Sequence, residues 1–139
     1  MSLSIRNQIP GTVTGVTPGE VMATVRTRLN GGQVITAAIT LEAVKELGIA
    51  EGTAVRAMVK STEVSLATGP VTGLSIRNQI AGTVTDVTTG GAMATVKIGI
   101  EGGELTAAIT KDAVADLGLA AGTPVVALIK STEVSLATV

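Results

Sequence analysis

The sequence has no cysteine, no histidine and no phenylalanine, tyrosine or tryptophan. Without cysteine there is no disulfide, no thiolate metal site and no thiol nucleophile. Without histidine the commonest general base and transition-metal ligand is missing. Without aromatic rings nothing can stack on a nucleobase. Charge is also scarce, at 15% of residues against roughly 25% in ordinary soluble domains. Ten basic and eleven acidic residues leave a net charge of −1, which is no broad attractor of nucleic-acid phosphate. No apolar run approaches the roughly 18 residues of a membrane span, so no membrane partner is expected. The N-terminus has no basic segment followed by an apolar stretch, which makes a cytoplasmic location the expectation. No pair of carboxylates divides into an acid and a base, so an enzyme is the least expected class.

What is present is aliphatic and repeated. Apolar residues make up 45% of the 139, nearly all Val, Ile, Leu and Ala broken by Gly and Thr. So little charged surface implies extensive contacts between subunits. Residues 3–34 align on 74–105, and residues 36–68 align on 106–138 after one deletion near Asn30-Gly31-Gly32. About two thirds of the paired positions are identical, the mark of a tandem duplication. The Gly- and Pro-containing stretch from Thr68 to Gly73 reads as the linker, giving units of 1–69 and 70–139. Each unit is near the lower size limit for an independent core, and neither has a disulfide to help.

Within a unit the signals are mainly β. Leu3, Ile5 and Ile9 alternate with Ser4, Arg6 and Gln8, which predicts a strand from the start of the repeat. Further strands are expected over 21–29, 34–39 and 55–59, with a short one over 64–66. A helix is expected over 41–47, capped by Thr40 and stopped by Gly48, and again near 111–117. The fold class is therefore all-β with short helices: two tandem five-stranded Greek-key barrels of the oligonucleotide/oligosaccharide-binding (OB) type.

Most charges differ between the repeats, but Arg6/Arg77, Lys60/Lys130 and Glu63/Glu133 do not. They sit in the two longest identical blocks, LSIRNQI and KSTEVSLAT. Brought together, Ser4, Arg6, Lys60 and Ser61 supply two cations, hydroxyls and backbone N–H groups, the donors that a small tetrahedral dianion requires. The N–H groups after Thr40 favour an anion as well. The residues alone leave plainer roles open: Arg6 with Glu63 as a structural ion pair, Thr40 as nothing but a helix cap.

The blocks Leu3–Gln8 and Leu74–Gln79, TAAIT at 36–40 and 106–110, and KSTEV at 60–64 and 130–134 occur in the same order twice. In this combination the chain resembles the molbindins, proteins built of molybdate-binding Mop domains, over essentially its whole length. The resemblance implies non-enzymatic binding and intracellular storage of molybdate or tungstate at subunit interfaces, with no covalent cofactor and no metal bound directly by protein atoms. It also implies a homo-oligomer, a trimer of two-domain chains. Carried over residue by residue, the resemblance implies that Ser4 and Arg6 meet Lys60 and Ser61 of a neighbouring domain, and that Ser75 and Arg77 meet Lys130 and Ser131. Thr40 and Thr110 would join them. Ala43 and Ala113 stand where many relatives have Ser, leaving only a backbone N–H to donate. Asn7, Gln8, Asn78 and Gln79 would frame a second class of site. Two other readings compete: an OB module for nucleic acid, against which the missing aromatics count, and an OB-type oligomerisation module that binds nothing.

Overall fold

Strict alternation governs the strands of the computed structural model, which describes residues 2–139. In β2 (Met22–Leu29), Ala23, Val25, Thr27 and Leu29 point inward while Met22, Thr24, Arg26 and Arg28 face out. The first repeat forms β1 (Asn7–Pro18), β2, β3 (Val34–Thr40), helix α1 (Leu41–Leu47), β4 (Ala54–Val59) and β5 (Ser65–Ala67). The second repeats the series as β6 (Asn78–Thr89), β7 (Met93–Ile100), β8 (Gly103–Thr110), α2 (Lys111–Leu117), β9 (Pro124–Ile129) and β10 (Ser135–Thr138). One 3-10 turn, Ser61–Glu63, joins β4 to β5, and Ser131–Glu133 joins β9 to β10. The OB-like class expected from the sequence is the one observed, as two curled, wholly antiparallel five-stranded sheets.

Three local features build each sheet. A bulge between Val13 and Gly15 bends the long first strand, so that it pairs with β4 at one end and β2 at the other. Thr40 caps α1 by accepting the Ala43 N–H at 3.1 Å, and Gly48 ends it in the left-handed conformation at φ 64°. The short helix then seats Val44 against the core, with Ile49 following just after it.

The sheets do not follow the repeat boundary. Their strand orders are β10-β4-β1-β2-β3 and β5-β9-β6-β7-β8, so each repeat lends its last strand to the other. Ser135 lies opposite Met58, and Ser65 opposite Leu128. Units 1–69 and 70–139 were expected to complete their own sheets; both instead exchange the fifth strand. The five residues 60–64 between β4 and β5 include a 3-10 turn, which leads the chain onward rather than back. A single continuous core results, with Val25, Ile35 and Val59 of one repeat in the same cluster as Val96, Leu105 and Ile129 of the other.

Two asparagines fasten the exchange. Asn7 and Asn78 share the inward parity of β1 and β6 and are 3% and 2% exposed. The Asn7 amide donates to Thr106 O at 2.8 Å and accepts from Thr106 N at 2.7 Å. Asn78 does the same with Thr36 O and Thr36 N, both at 2.8 Å. Each amide stands in for a strand residue at the open edge of the opposite repeat's β3 or β8.

Candidate oxyanion site

The pairing of β1 with β4 decides where the two identical blocks meet. Asn7 lies opposite Val59, so the chain entering β1 runs beside the chain leaving β4. Ser4, Ile5 and Arg6 therefore face Lys60, Ser61 and Thr62 across a cleft of about 290 Å³. Residues 3–6 precede β1 rather than lying within it, a correction to the expected strand. Leu3 is accordingly 37% exposed and holds no barrel together. The flat alternation of Ser4 and Arg6 is lost there, yet both still line the same cleft.

The lining carries two cations and no carboxylate. Ser4, Arg6 and Lys60 are exposed and free to adjust, while Ser61 is half-buried. Its Oγ is fully buried and has no hydrogen-bond partner, an unusual state for a hydroxyl. Ser61 and Thr62 also open a 3-10 turn, whose first N–H groups have no partner within the turn. The register Asn78 opposite Ile129 places Ser75–Arg77 beside Lys130–Thr132 in the same way. Ser131 differs slightly, because Asn78 Nδ2 approaches its Oγ at 3.5 Å.

Within the chain, both halves of the cleft come from one repeat, where the resemblance leads one to expect neighbouring domains. The opposite repeat nevertheless packs close by: β3 touches the 3-10 turn at Ser131–Glu133, and β8 touches the one at Ser61–Glu63.

Thr40 and Ala43 lie elsewhere. Thr40 lines a separate cleft of about 550 Å³ with Glu20, Val21, Leu41, Glu42, Lys45 and Glu46. Three carboxylates against one ammonium make that cleft unsuited to a dianion, although it is the larger. The Ala43 N–H is taken up by the Thr40 hydroxyl, and the Ala113 N–H by Thr110, each at 3.1 Å. The expectation that these N–H groups stand free for an anion is corrected by the cap itself.

Of the four amides expected to frame a second site, Asn7 and Asn78 are occupied by the opposite repeat's backbone. Gln8 and Gln79 instead hold the loops before their strands, donating to Ile5 O at 2.9 Å and Ile76 O at 3.0 Å. Sequence reasoning passed over Ile5 as a lining residue and Arg56 as a neighbour of Gln8. The only signal for Arg56 was its spacing along β4, two residues from the position opposite Gln8. Among the described residues no three or more His, Cys, Asp or Glu gather to hold a metal ion. Among the described residues no helix is long and apolar enough to cross a membrane.

The TOBE domain family model matches residues 3–66 and 74–136. The molybdenum transport protein ModE of Azotobacter vinelandii is 40% identical over 138 residues, 99% of this chain and 51% of that protein. The molybdenum-pterin-binding protein MopB of Rhodobacter capsulatus is 40% identical over 136 residues, 96% of this chain and 50% of its own length. The chain thus spans about half the length of these curated relatives. Molybdenum-pterin-binding protein 2 of Clostridium pasteurianum aligns with one repeat, 47% identical over 66 residues, 48% of this chain and 97% of that protein. Among solved structures, the cytoplasmic molybdate-binding protein ModG with molybdate bound superposes with a TM-score of 0.95 at 40% identity, covering 100% of both chains.

Proposed function

The chain belongs to the TOBE domain family and carries two copies of its Mop-type unit, and from that premise we propose that it binds molybdate reversibly and stores it in the cytoplasm. The carrying observation is the cleft of Ser4, Arg6, Lys60 and Ser61, with two cations, no carboxylate and a buried hydroxyl that lacks a partner. The molybdate-bound ModG, similar over its full length, supports the same ligand.

The proposed mechanism is capture of an intact dianion with no bond made or broken. Arg6 and Lys60 offset the charge, while the hydroxyls of Ser4 and Ser61 and the turn's N–H groups point donors at the oxygens. Ser75, Arg77, Lys130 and Ser131 form the second cleft. A donor-only site leaves the proton of hydrogen phosphate unpaired, at a cost of about 1–3 kcal/mol. Sulfate has no such proton and is rejected by size alone. Tungstate matches molybdate in size and charge and binds comparably.

The clefts are open on their outer side, where Ser4, Arg6 and Lys60 are exposed. A second copy of the chain would cover them and close the donor shell from outside. A trimer with six units is the proposed assembly, and the exposed Val21, Met22 and Met93 are apolar surface open to such contacts. Equilibrium dialysis against molybdate, with sulfate and phosphate as competitors, tests the reading. Saturable molybdate uptake that phosphate fails to displace is expected. Uptake no greater than a non-binding control would sink it.

A further inference from the structure

The two repeats differ behind the cleft. In the first, the Arg56 guanidinium donates to Gln8 Oε1 at 3.4 Å, and Gln8 Nε2 donates to Ile5 O at 2.9 Å. Ile5 lies between Ser4 and Arg6 and lines the cleft itself. In the second repeat Gln79 bonds Ile76 O at 3.0 Å, but Val126 occupies the place of Arg56 and offers no donor. The register accounts for the reach. Gln8 lies opposite Met58, so Arg56 is its diagonal neighbour on the same face; Gln79 lies opposite Leu128, with Val126 in that diagonal place. Exposure follows the same division, Gln8 being half-buried and Gln79 exposed.

We infer that Arg56 is a positioning residue: through Gln8 it pre-orders the Ser4–Arg6 loop, making the first repeat's oxyanion cleft the tighter of two unequal sites. An amide fixed at both its oxygen and its nitrogen has one orientation. Gln79, held at its nitrogen alone, can release Ile76 at the cost of one exposed hydrogen bond. A loop that is already ordered loses less freedom when the anion arrives, so affinity rises without any new contact to the ligand. The ligand assignment rests on the molybdate reading above; the ordering of the loop does not.

Two substitutions test the inference, because each places in one repeat the residue that the other carries. In the ligand-free full chain, backbone order parameters should be higher for residues 4–6 than for residues 75–77. Arg56→Val should lower the former to the level of the latter, Arg56→Lys should largely restore them, and Val126→Arg should raise the second set. In molybdate titrations, two classes of site should differ by roughly three- to tenfold, the range of one net hydrogen bond. Arg56→Val should merge them at the weaker value. Equal order parameters in the two loops, or values unmoved by Arg56→Val, would overturn the inference whether or not molybdate binds. Absence of saturable uptake by the parent chain would overturn the molybdate reading and leave the loop comparison to be decided on its own.

Discussion

Thr27 faces the core of the first sheet with its hydroxyl buried and unpaired, where the second repeat has Ile98. Thr27→Val keeps the shape and removes the orphan group, and should raise stability by about 1 kcal/mol in a denaturant titration. Ser61 carries the other buried hydroxyl without a partner. Its position in a cation-lined cleft gives that orphan a use that Thr27 lacks. Arg6→Ala and Lys60→Ala should each weaken the first repeat's sites by about ten- to a hundredfold, the worth of one charge-assisted hydrogen bond, and spare those of Arg77 and Lys130. Molybdate isotherms identical to the parent's for both variants would refute the assignment. These residues were legible in the sequence because their types state their chemistry. Asn7 was not, since an asparagine on the apolar parity of a strand says only that a partner must exist.

At the scale of elements, the turn from β2 to β3 meets the turn from β7 to β8 backbone to backbone. A Cβ at Gly31 would overlap the carbonyl oxygen of Glu101. Backbone cannot swing aside as a flexible side chain can, so Gly31→Ala should cost about 1–3 kcal/mol, read as a lowered urea midpoint. Gly32, with open space around it but φ at 100°, resists alanine for a different reason, its left-handed backbone. The asparagine fasteners also belong here. Asn7→Leu leaves the Thr106 N–H and C=O unpaired, and should cost about 2–6 kcal/mol at roughly 1–3 for each buried group. A stability equal to the parent's would show that water replaces the amide. Strand and helix positions were readable from alternation and from the Thr–Gly caps. The start of β1 was misplaced, because residues 3–6 keep the alternation of a strand with no neighbour to pair them.

For the whole molecule, the exchange of β5 and β10 makes each sheet depend on both repeats. A fragment of residues 1–69 loses β10 and leaves β4 with an open edge. Its own β5 has the residues to fill that edge, but the 3-10 turn at Ser61–Glu63 carries it away. The fragment should therefore pair with a second copy and elute as an exchanged dimer, with a melting temperature that rises with concentration. A stable monomer by light scattering would show that the turn lets β5 return to its own sheet. Ligand should act at the same scale. Molybdate at a hundred times its dissociation constant should stabilise the assembly by about 2.7 kcal/mol per site. A melting temperature unmoved under those conditions would count against binding to the folded state.

The duplication, the alternating strands, the capped helices and the donor-rich blocks were all settled by the sequence, since each depends on residues close together in the chain. The choice of sheet for the last strand was not. Ser65-Leu66-Ala67-Thr68 and Ser135-Leu136-Ala137-Thr138 are identical, so local preference is the same for both destinations. Only the geometry of the turns before them, and the burial of two asparagine amides against the opposite repeat, separates exchange from return.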